Sequence, residues 1–204
     1  MGKIAGVLFA LAGFVILMGI TTAESFYPGY NLHSSYISWL GATPPPNIII
    51  KQPSATIFDL SMVFAGILIL AGGIFFYRRY GNKILFAPIL FMGLGTLGVG
   101  LFPASHASIH PLIAGIAFAA GGIAGILSYR KTTAPFRYLA LVLGLVTLGF
   151  LILGILDPKI LSPLGIGGAE RWVAYPITIW LILFGGYLMG PRPTSKASKI
   201  KSKR

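Results

Sequence analysis

The chain has 204 residues, of which 55% are hydrophobic and only 10% are charged. A soluble globular domain is about one quarter charged, so this composition excludes an ordinary soluble protein and indicates an integral membrane protein. The chain contains no cysteine, which excludes disulfides, thiolate catalysis and cysteine-ligated metal sites. The net charge of +12 would suggest nucleic acid as a partner for a soluble protein, but in a membrane protein basic residues orient the helices. We therefore predict no nucleic-acid partner.

Six apolar stretches are long enough to cross the ~30 Å hydrocarbon core, which needs ~20 residues of helix. They predict an all-α fold, in which residues 1–190 form one bundle of six transmembrane helices and residues 191–204 form a basic tail. A long connection at 23–56 separates the first two spans. The predicted spans are 4–22, 57–77, 84–102, 111–129, 138–156 and 172–189.

The lysines and arginines predict how the bundle is oriented. Thirteen of the sixteen fall at the termini or in the second and fourth connections, whereas Lys51, Lys159 and Arg171 fall on the opposite side. Because cytoplasmic segments carry an excess of basic residues, both termini are predicted to be cytoplasmic in a multi-pass cell-membrane protein.

The acids and histidines have the opposite distribution. All of them lie in, or within a turn of, the three connections predicted to be outside: Glu24, Asp59, Asp157, Glu170, His33, His106 and His110. Acidic residues contribute little to topology, so the orientation rule does not require this arrangement. We predict an outer polar cluster made of Glu24, Asp59, Glu170 and Arg171.

Glu24 is the acid for which the neighbouring sequence offers the least structural role. It lies at the C-terminal end of the first span, where the helix dipole disfavours a negative charge. The sequence predicts a partner for its carboxylate, which could be Arg171, Lys51 or a histidine. The segment Thr56-Ile57-Phe58-Asp59 matches a capping box for the second span, and Asp157 before a proline matches an N-cap. Glu170 and Arg171 could cap the last span and pair locally.

His106 and His110 are spaced to lie on one face of a helix, which would suit a metal ion. Pro111 places His110 at or before the start of the fourth span, which makes the geometry of the pair less defined. A catalytic zinc needs three protein ligands, so the site would also need His33 or one of the acids. The alternative is that the histidines bond to backbone and head groups in a hydrated turn. The sequence identifies no cofactor, with zinc as the candidate, and no motif specifies a reaction.

The connection 23–56 contains apolar residues at helical spacing, which are Leu32, Tyr36, Trp39 and Leu40. They predict a short amphipathic helix that stops at Gly41, and the segment is either a lid over the bundle or an interfacial element. Rows of small residues such as Ala117-x-x-x-Gly121-x-x-x-Gly125 allow close helix approach. Packing within the chain is the favoured use of these rows, with dimerisation as the alternative.

Two segments resemble a known family. Ser34-Ser35-Tyr36-Ile37-Ser38-Trp39-Leu40-Gly41 is similar to the S-x-L-G segment after its first helix, and Gly100-Leu101-Phe102-Pro103 followed by His110 is similar to its G-x-F-P…H turn. The family is the six-helix membrane group of domain of unknown function 998 (DUF998), related to DRAM-like membrane proteins. The resemblance implies a six-helix bundle with an outward-facing polar site, and it implies no particular reaction.

A second likeness is to the alkaline ceramidase and progestin–adipoQ receptor superfamily of zinc hydrolases, through His106-x-x-x-His110 and Asp59. Those proteins have seven helices, one more than this chain. The function predicted first is a non-enzymatic accessory subunit, or a module that holds lipid or another apolar ligand. The alternative is a zinc-dependent hydrolase acting on lipid at the outer leaflet. Predicted partners are membrane lipids, and either other membrane subunits or a second copy of the chain.

Overall fold

A computed structural model describes residues 1–191 of the chain. Six of its helices are long and apolar enough to cross a membrane, which confirms the predicted fold class. The α-helices are α1 (Gly2–Ser25), α2 (Ser54–Tyr80), α3 (Lys83–Leu101), α4 (His110–Ser128), α5 (Phe136–Leu156) and α6 (Gly165–Met189). Two 3₁₀ helices, Ile37–Leu40 and Pro158–Leu164, lie in connections, and no strand occurs within residues 1–191. The predicted tail, from residue 192 onward, lies outside the described residues.

The helices form a ring in which each packs against the next along the chain, and α6 returns to pack against α1. Consecutive helices therefore run in alternate directions. The connections α1–α2, α3–α4 and α5–α6 lie at one end of the bundle, which we call the long-loop end. The start of α1, the end of α6 and the two shorter connections lie at the opposite end, which we call the termini end.

Small residues bring neighbouring helices together within the chain. A Cβ built on Gly6 of α1 would lie 2.6 Å from the Gly185 carbonyl oxygen of α6, and one on Gly95 of α3 would lie 2.7 Å from the Ala117 Cβ of α4. These distances leave no room for a side chain at either glycine. In lipid, helices associate through such close packing because no water is released between them.

An aromatic cluster fills the bundle toward the termini end. Phe184 of α6 is buried at its centre, with ring centroids 4.9 Å from Trp180, 5.7 Å from Phe9 of α1 and 5.8 Å from Phe76 of α2. Phe136 of α5 stacks on its other side at 6.2 Å. Offset and tilted ring pairs of this kind add to the area that the rings bury, so the cluster ties four helices together.

Helix α6 begins at Gly165, well before the predicted start near residue 172. The 3₁₀ helix Pro158–Leu164 precedes it directly, and Asp157 caps this helix by accepting from the Lys159 amide, as the sequence predicted. Gly165 has φ of +67°, a conformation that side chains disfavour, and this residue lets the chain turn from one helix into the next. Glu170 and Arg171 consequently lie in the second turn of α6 and do not cap it.

The long connection contains no amphipathic α-helix, and that prediction was wrong. Its only regular element is the 3₁₀ helix Ile37–Leu40, in which residues three apart share a face. Ile37 and Leu40 are therefore buried against the bundle, whereas Leu32 and Tyr36 of the predicted apolar face are 56% and 38% exposed. A 3₁₀ helix has three residues per turn, so it buries a different set of residues from the one that the 3.6-residue period of an α-helix predicted.

Candidate functional site

Arg171 is the centre of a polar network at the long-loop end. Its guanidinium lies 2.5 Å from the Glu24 carboxylate at the end of α1 and 2.9 Å from the Tyr30 hydroxyl in the long loop. It also donates to two backbone carbonyls, those of Gly167 at 2.8 Å and Leu32 at 3.2 Å. The side chains of Arg171 and Glu24 are only 11% and 18% exposed. Of the three partners that the sequence allowed for Glu24, the structure gives Arg171.

Glu170 holds the next part of the same loop. Its carboxylate accepts from the backbone amide of Ile37 and from the backbone amide and hydroxyl of Ser38. Because residues 170 and 171 are adjacent on α6, their side chains diverge and bind the loop at two places. Together they fasten the segment 30–38 to the bundle.

The same loop segment also covers the beginning of α6. The Gly167 amide donates to the His33 carbonyl at 3.0 Å, which satisfies one of the free N–H groups in the first turn of the helix. A Cβ on Gly167 would lie 2.9 Å from the Arg171 guanidinium and still closer to two loop carbonyls. The absence of a side chain at Gly167 therefore lets the loop backbone lie directly on the helix.

Two loop tyrosines stay neutral in this environment. Burial raises the pKa of Tyr30 to about 12, and this effect outweighs the hydrogen bond from Arg171, which lowers it. The Tyr30 hydroxyl donates to the Tyr36 carbonyl at 3.0 Å while it accepts from Arg171. Burial, with a smaller contribution from the negative charge of Glu170, also raises the pKa of Tyr36. Tyr30 thus links the ion pair to the loop backbone as a neutral phenol.

Asp59, the fourth residue of the predicted polar cluster, shares no ion pair or hydrogen bond with the other three. Helix α2 begins at Ser54 rather than at Ile57, so Asp59 lies past the first turn, and the capping-box prediction was wrong. Thr56 bonds instead to the side chain of Gln52. Asp59 Oδ1 lies beside Gly41, is buried, and has no hydrogen-bond partner within residues 1–191.

The three histidines predicted as metal ligands serve separate local roles. His110 is the first residue of α4, is 5% exposed, and its Nδ1 bonds to the Phe102 carbonyl at 2.7 Å. His106 packs edge-on against the Phe102 ring, and its Nδ1 lies 3.3 Å from the Pro103 carbonyl. His33 lies against Gly165 in the long loop. Among residues 1–191, no three His, Asp or Glu side chains form a group that could hold a metal ion, so the zinc site stays a prediction without a ligand set.

A cavity of about 770 Å³ lies beneath the fastened loop, between α4, α5 and α6, and we call it the lateral groove. Its size falls within the ~300–1,000 Å³ range of small-molecule sites. The buried residues of α5, which are Ala140, Gly144 and Thr147, all precede Leu148, and the groove lies beside the later part of this helix, from Phe150 to Ile155. The groove is open to the surroundings of the bundle, since Ile155 on its rim is 72% exposed.

The lining of the groove is sorted by polarity. The walls formed by α4 and α5 contribute only apolar side chains, proline and glycine between Pro111 and Phe118 and between Phe150 and Ile155. The polar side chains come from the long loop, from the 3₁₀ helix Pro158–Leu164 and from the first turns of α6. They are His33, Ser34, Tyr36, Lys159, Ser162 and Glu170. The groove thus has an apolar body and a polar mouth at the long-loop end.

Two glycines keep the body of the groove open. A Cβ on Gly115 of α4 would meet no atom within 4 Å, and one on Gly154 of α5 would meet only Leu161 at 3.8 Å. Both residues line the groove. A second cavity, of about 70 Å³, lies deeper in the bundle and shares Ala114, Phe118 and Glu170 with the groove.

The sequence predicted Glu24, Glu170 and Arg171 as members of a polar cluster but did not predict the groove, although two of its lining residues, His33 and Glu170, were candidate site residues. The sequence indicated no place in a site for Tyr30, Gly115, Gly154 or Lys159. No spacing in the sequence separates these open glycines from packed ones: Gly115 precedes Ala119 by four residues just as Gly121 precedes Gly125, yet a Cβ on Gly115 would meet no neighbouring atom.

The fold and the site define an integral membrane protein, a six-helix bundle with a fastened loop over a lateral apolar groove. The family described as protein of unknown function (DUF998) matches residues 10–187, and the chain belongs to this family. No curated protein and no solved structure matches the sequence significantly. The wider relation to DRAM-like proteins stays a prediction.

Proposed function

We propose that this protein is a non-enzymatic membrane module that holds a lipid in its lateral groove. The observation that carries the proposal is the groove itself, a mainly apolar space of about 770 Å³ between three of the membrane-spanning helices, with the exposed Ile155 in its lining. Protein interiors are close-packed, and an empty apolar space of this size would forfeit the dispersion contacts of its walls. In a bilayer, the molecule available to fill it is the chain of a neighbouring lipid.

The orientation of the bundle is part of the proposal. Thirteen basic residues on the side of the termini support cytoplasmic termini, and the polar mouth of the groove would then face the outer leaflet of the cell membrane. The chain has no cysteine, so single cysteines can be introduced at exposed Asn47 in the long loop and at exposed Ala134 between α4 and α5. In intact cells, a membrane-impermeant maleimide should label Asn47→Cys and not Ala134→Cys.

The groove is tested by filling it. Native mass spectrometry of the protein purified in a mild detergent should show a retained lipid, which Gly115→Leu and Gly154→Leu should reduce by about tenfold, the effect of ~1.4 kcal/mol of lost binding energy. Gly149→Leu on α5 is the matched control, because a Cβ there also meets nothing within 4 Å but Gly149 does not line the groove. Equal lipid retention in all three variants and the parent protein would refute the proposal.

A further inference from the structure

The mouth of the groove carries a charge that the bundle does not neutralise. Within residues 1–191, the single ion pair joins Arg171 to Glu24, so Lys159 has no acidic partner there. Lys159 is exposed and lines the groove, where it is accompanied by Ser34 and Ser162. The mouth therefore offers an ammonium group and two hydroxyls that can all donate hydrogen bonds.

The acids near the mouth form hydrogen bonds with neutral donors, and neither of them forms an ion pair with Lys159. Glu170 accepts from Ile37 and Ser38, and Asp157 accepts from the backbone amide of Lys159. Asp59 does not line the groove. The unpaired positive charge at Lys159 consequently faces a site that lies directly above an apolar body.

We propose that this mouth binds the phosphate of a lipid head group, so that the groove takes an anionic phospholipid in preference to a zwitterionic one with the same chains. The inference rests on the proposed function, since the chains of the lipid would occupy the body of the groove. The Lys159 ammonium binds the phosphate oxygens, with the hydroxyls of Ser34 and Ser162 as further donors. A zwitterionic lipid carries its own cation beside the phosphate, which repels Lys159 and weakens this contact.

The polarity of the lining agrees with an amphiphile of this kind. Lys159 and Ser162 belong to the 3₁₀ helix Pro158–Leu164 and Ser34 to the long loop, whereas the walls from α4 and α5 are apolar. A helix rises ~1.5 Å per residue, so the stretch from Gly165 to Val173 along α6 extends the groove ~12 Å away from the mouth. The head group and the first part of the chains thus meet matching surfaces.

The test compares phosphatidylglycerol with phosphatidylcholine of identical chains, mixed in equal amounts with the purified full-length protein in non-ionic detergent. Native mass spectrometry gives the ratio of the two bound lipids. One basic residue near a phosphate contributes ~1 kcal/mol, so the parent protein should prefer phosphatidylglycerol about fivefold. Lys159→Gln should abolish the preference while phosphatidylcholine stays bound, and Lys159→Arg should keep it.

Lys51→Gln is the matched control. Lys51 is an exposed lysine at the same end of the bundle that does not line the groove, so its removal should leave the preference unchanged. If Lys51→Gln removes the preference as strongly as Lys159→Gln, the attraction belongs to the whole surface and the proposal is wrong. A preference that survives Lys159→Gln also overturns it.

Two further experiments are needed. One distinguishes a lipid phosphate from free phosphate as the ligand, and the other distinguishes the head-group inference from the proposed function of the groove. Excess inorganic phosphate should leave bound phosphatidylglycerol in place, because the chains hold the lipid; loss of the preference would instead show a site for free anions and overturn the lipid assignment. Equal binding of both lipids by the parent protein would contradict the head-group inference but would still agree with a groove that holds a lipid. Failure to retain either lipid defeats the groove function itself.

Discussion

Replacing Arg171 by methionine should release the long loop from the bundle. Methionine keeps an unbranched apolar stem of similar reach but removes every hydrogen bond to Glu24, Tyr30 and the backbone carbonyls. Breaking a buried ion pair by removing one partner costs ~3–5 kcal/mol. Because the Glu24 side chain is 18% exposed and can gain some water, we expect the lower end, about 3 kcal/mol.

Hydrogen–deuterium exchange measures this loss of stability in the long loop itself. The amides of Ile37, Trp39 and Gly41 are bonded to Glu170 and to loop carbonyls, so they exchange only when the loop opens. In Arg171→Met, exchange in the loop segment should accelerate about 100-fold, the factor that corresponds to ~3 kcal/mol. Amides of the buried part of α2 should keep their protection.

A matched control and a second substitution make the test decisive. Lys159→Met removes a cation at the same end that has no acidic partner in the described chain, and it should leave loop exchange unchanged. Adding Glu24→Gln to Arg171→Met should recover about 1–2 kcal/mol, because the stranded carboxylate is gone. Unchanged loop exchange in Arg171→Met, or equal acceleration throughout α2, would show that the network does not fasten the loop.

Two further predictions concern helix packing and pH. Gly6→Leu should lower the free energy of unfolding by at least ~1–3 kcal/mol in a detergent melt, because its Cβ would lie 2.6 Å from the Gly185 carbonyl oxygen. Gly186→Leu is the control and should be neutral or slightly stabilising, because a Cβ there would meet nothing within 4 Å. Equal melting of the two variants would contradict the close α1–α6 crossing. The raised pKa of Tyr30, about 12, means that its neutral phenol stabilises the fold fully below pH ~10 and that this contribution is lost as the pH rises from ~10 to ~12. An ultraviolet phenolate titration should show a late phase whose amplitude falls by one tyrosine in Tyr30→Phe, and a late phase of unchanged amplitude in this variant would contradict the assignment.

The six helices follow from the sequence because a membrane imposes a simple rule. Every backbone polar group in the hydrocarbon core must be bonded within the chain, so a long apolar stretch without charges has to be helical. The first five helices accordingly lie close to the predicted spans. The start of α6 was missed because residues 165–171 include Glu170 and Arg171, whose charges end the apolar pattern although their partners allow the helix to continue.

Glu24 shows how much of the site can be predicted from the sequence around a residue. The helix dipole argument indicated that this carboxylate needed a cation, and the sequence left three kinds of candidate. Choosing Arg171 required the ring closure of α1 against α6, which places residues distant in the sequence side by side. The opposite outcome holds for Asp59, whose capping prediction failed because the helix begins earlier, at Ser54.

The sequence by itself determined the membrane class, the number of helices and the end of the bundle at which acids and histidines collect, since these depend on composition and on order along the chain. The lateral groove was decided only by the tertiary structure. Gly125 lies against the backbone of α5 near Gly144 whereas Gly115 faces open space, and this difference depends on how α4, α5 and α6 pack together rather than on any local pattern.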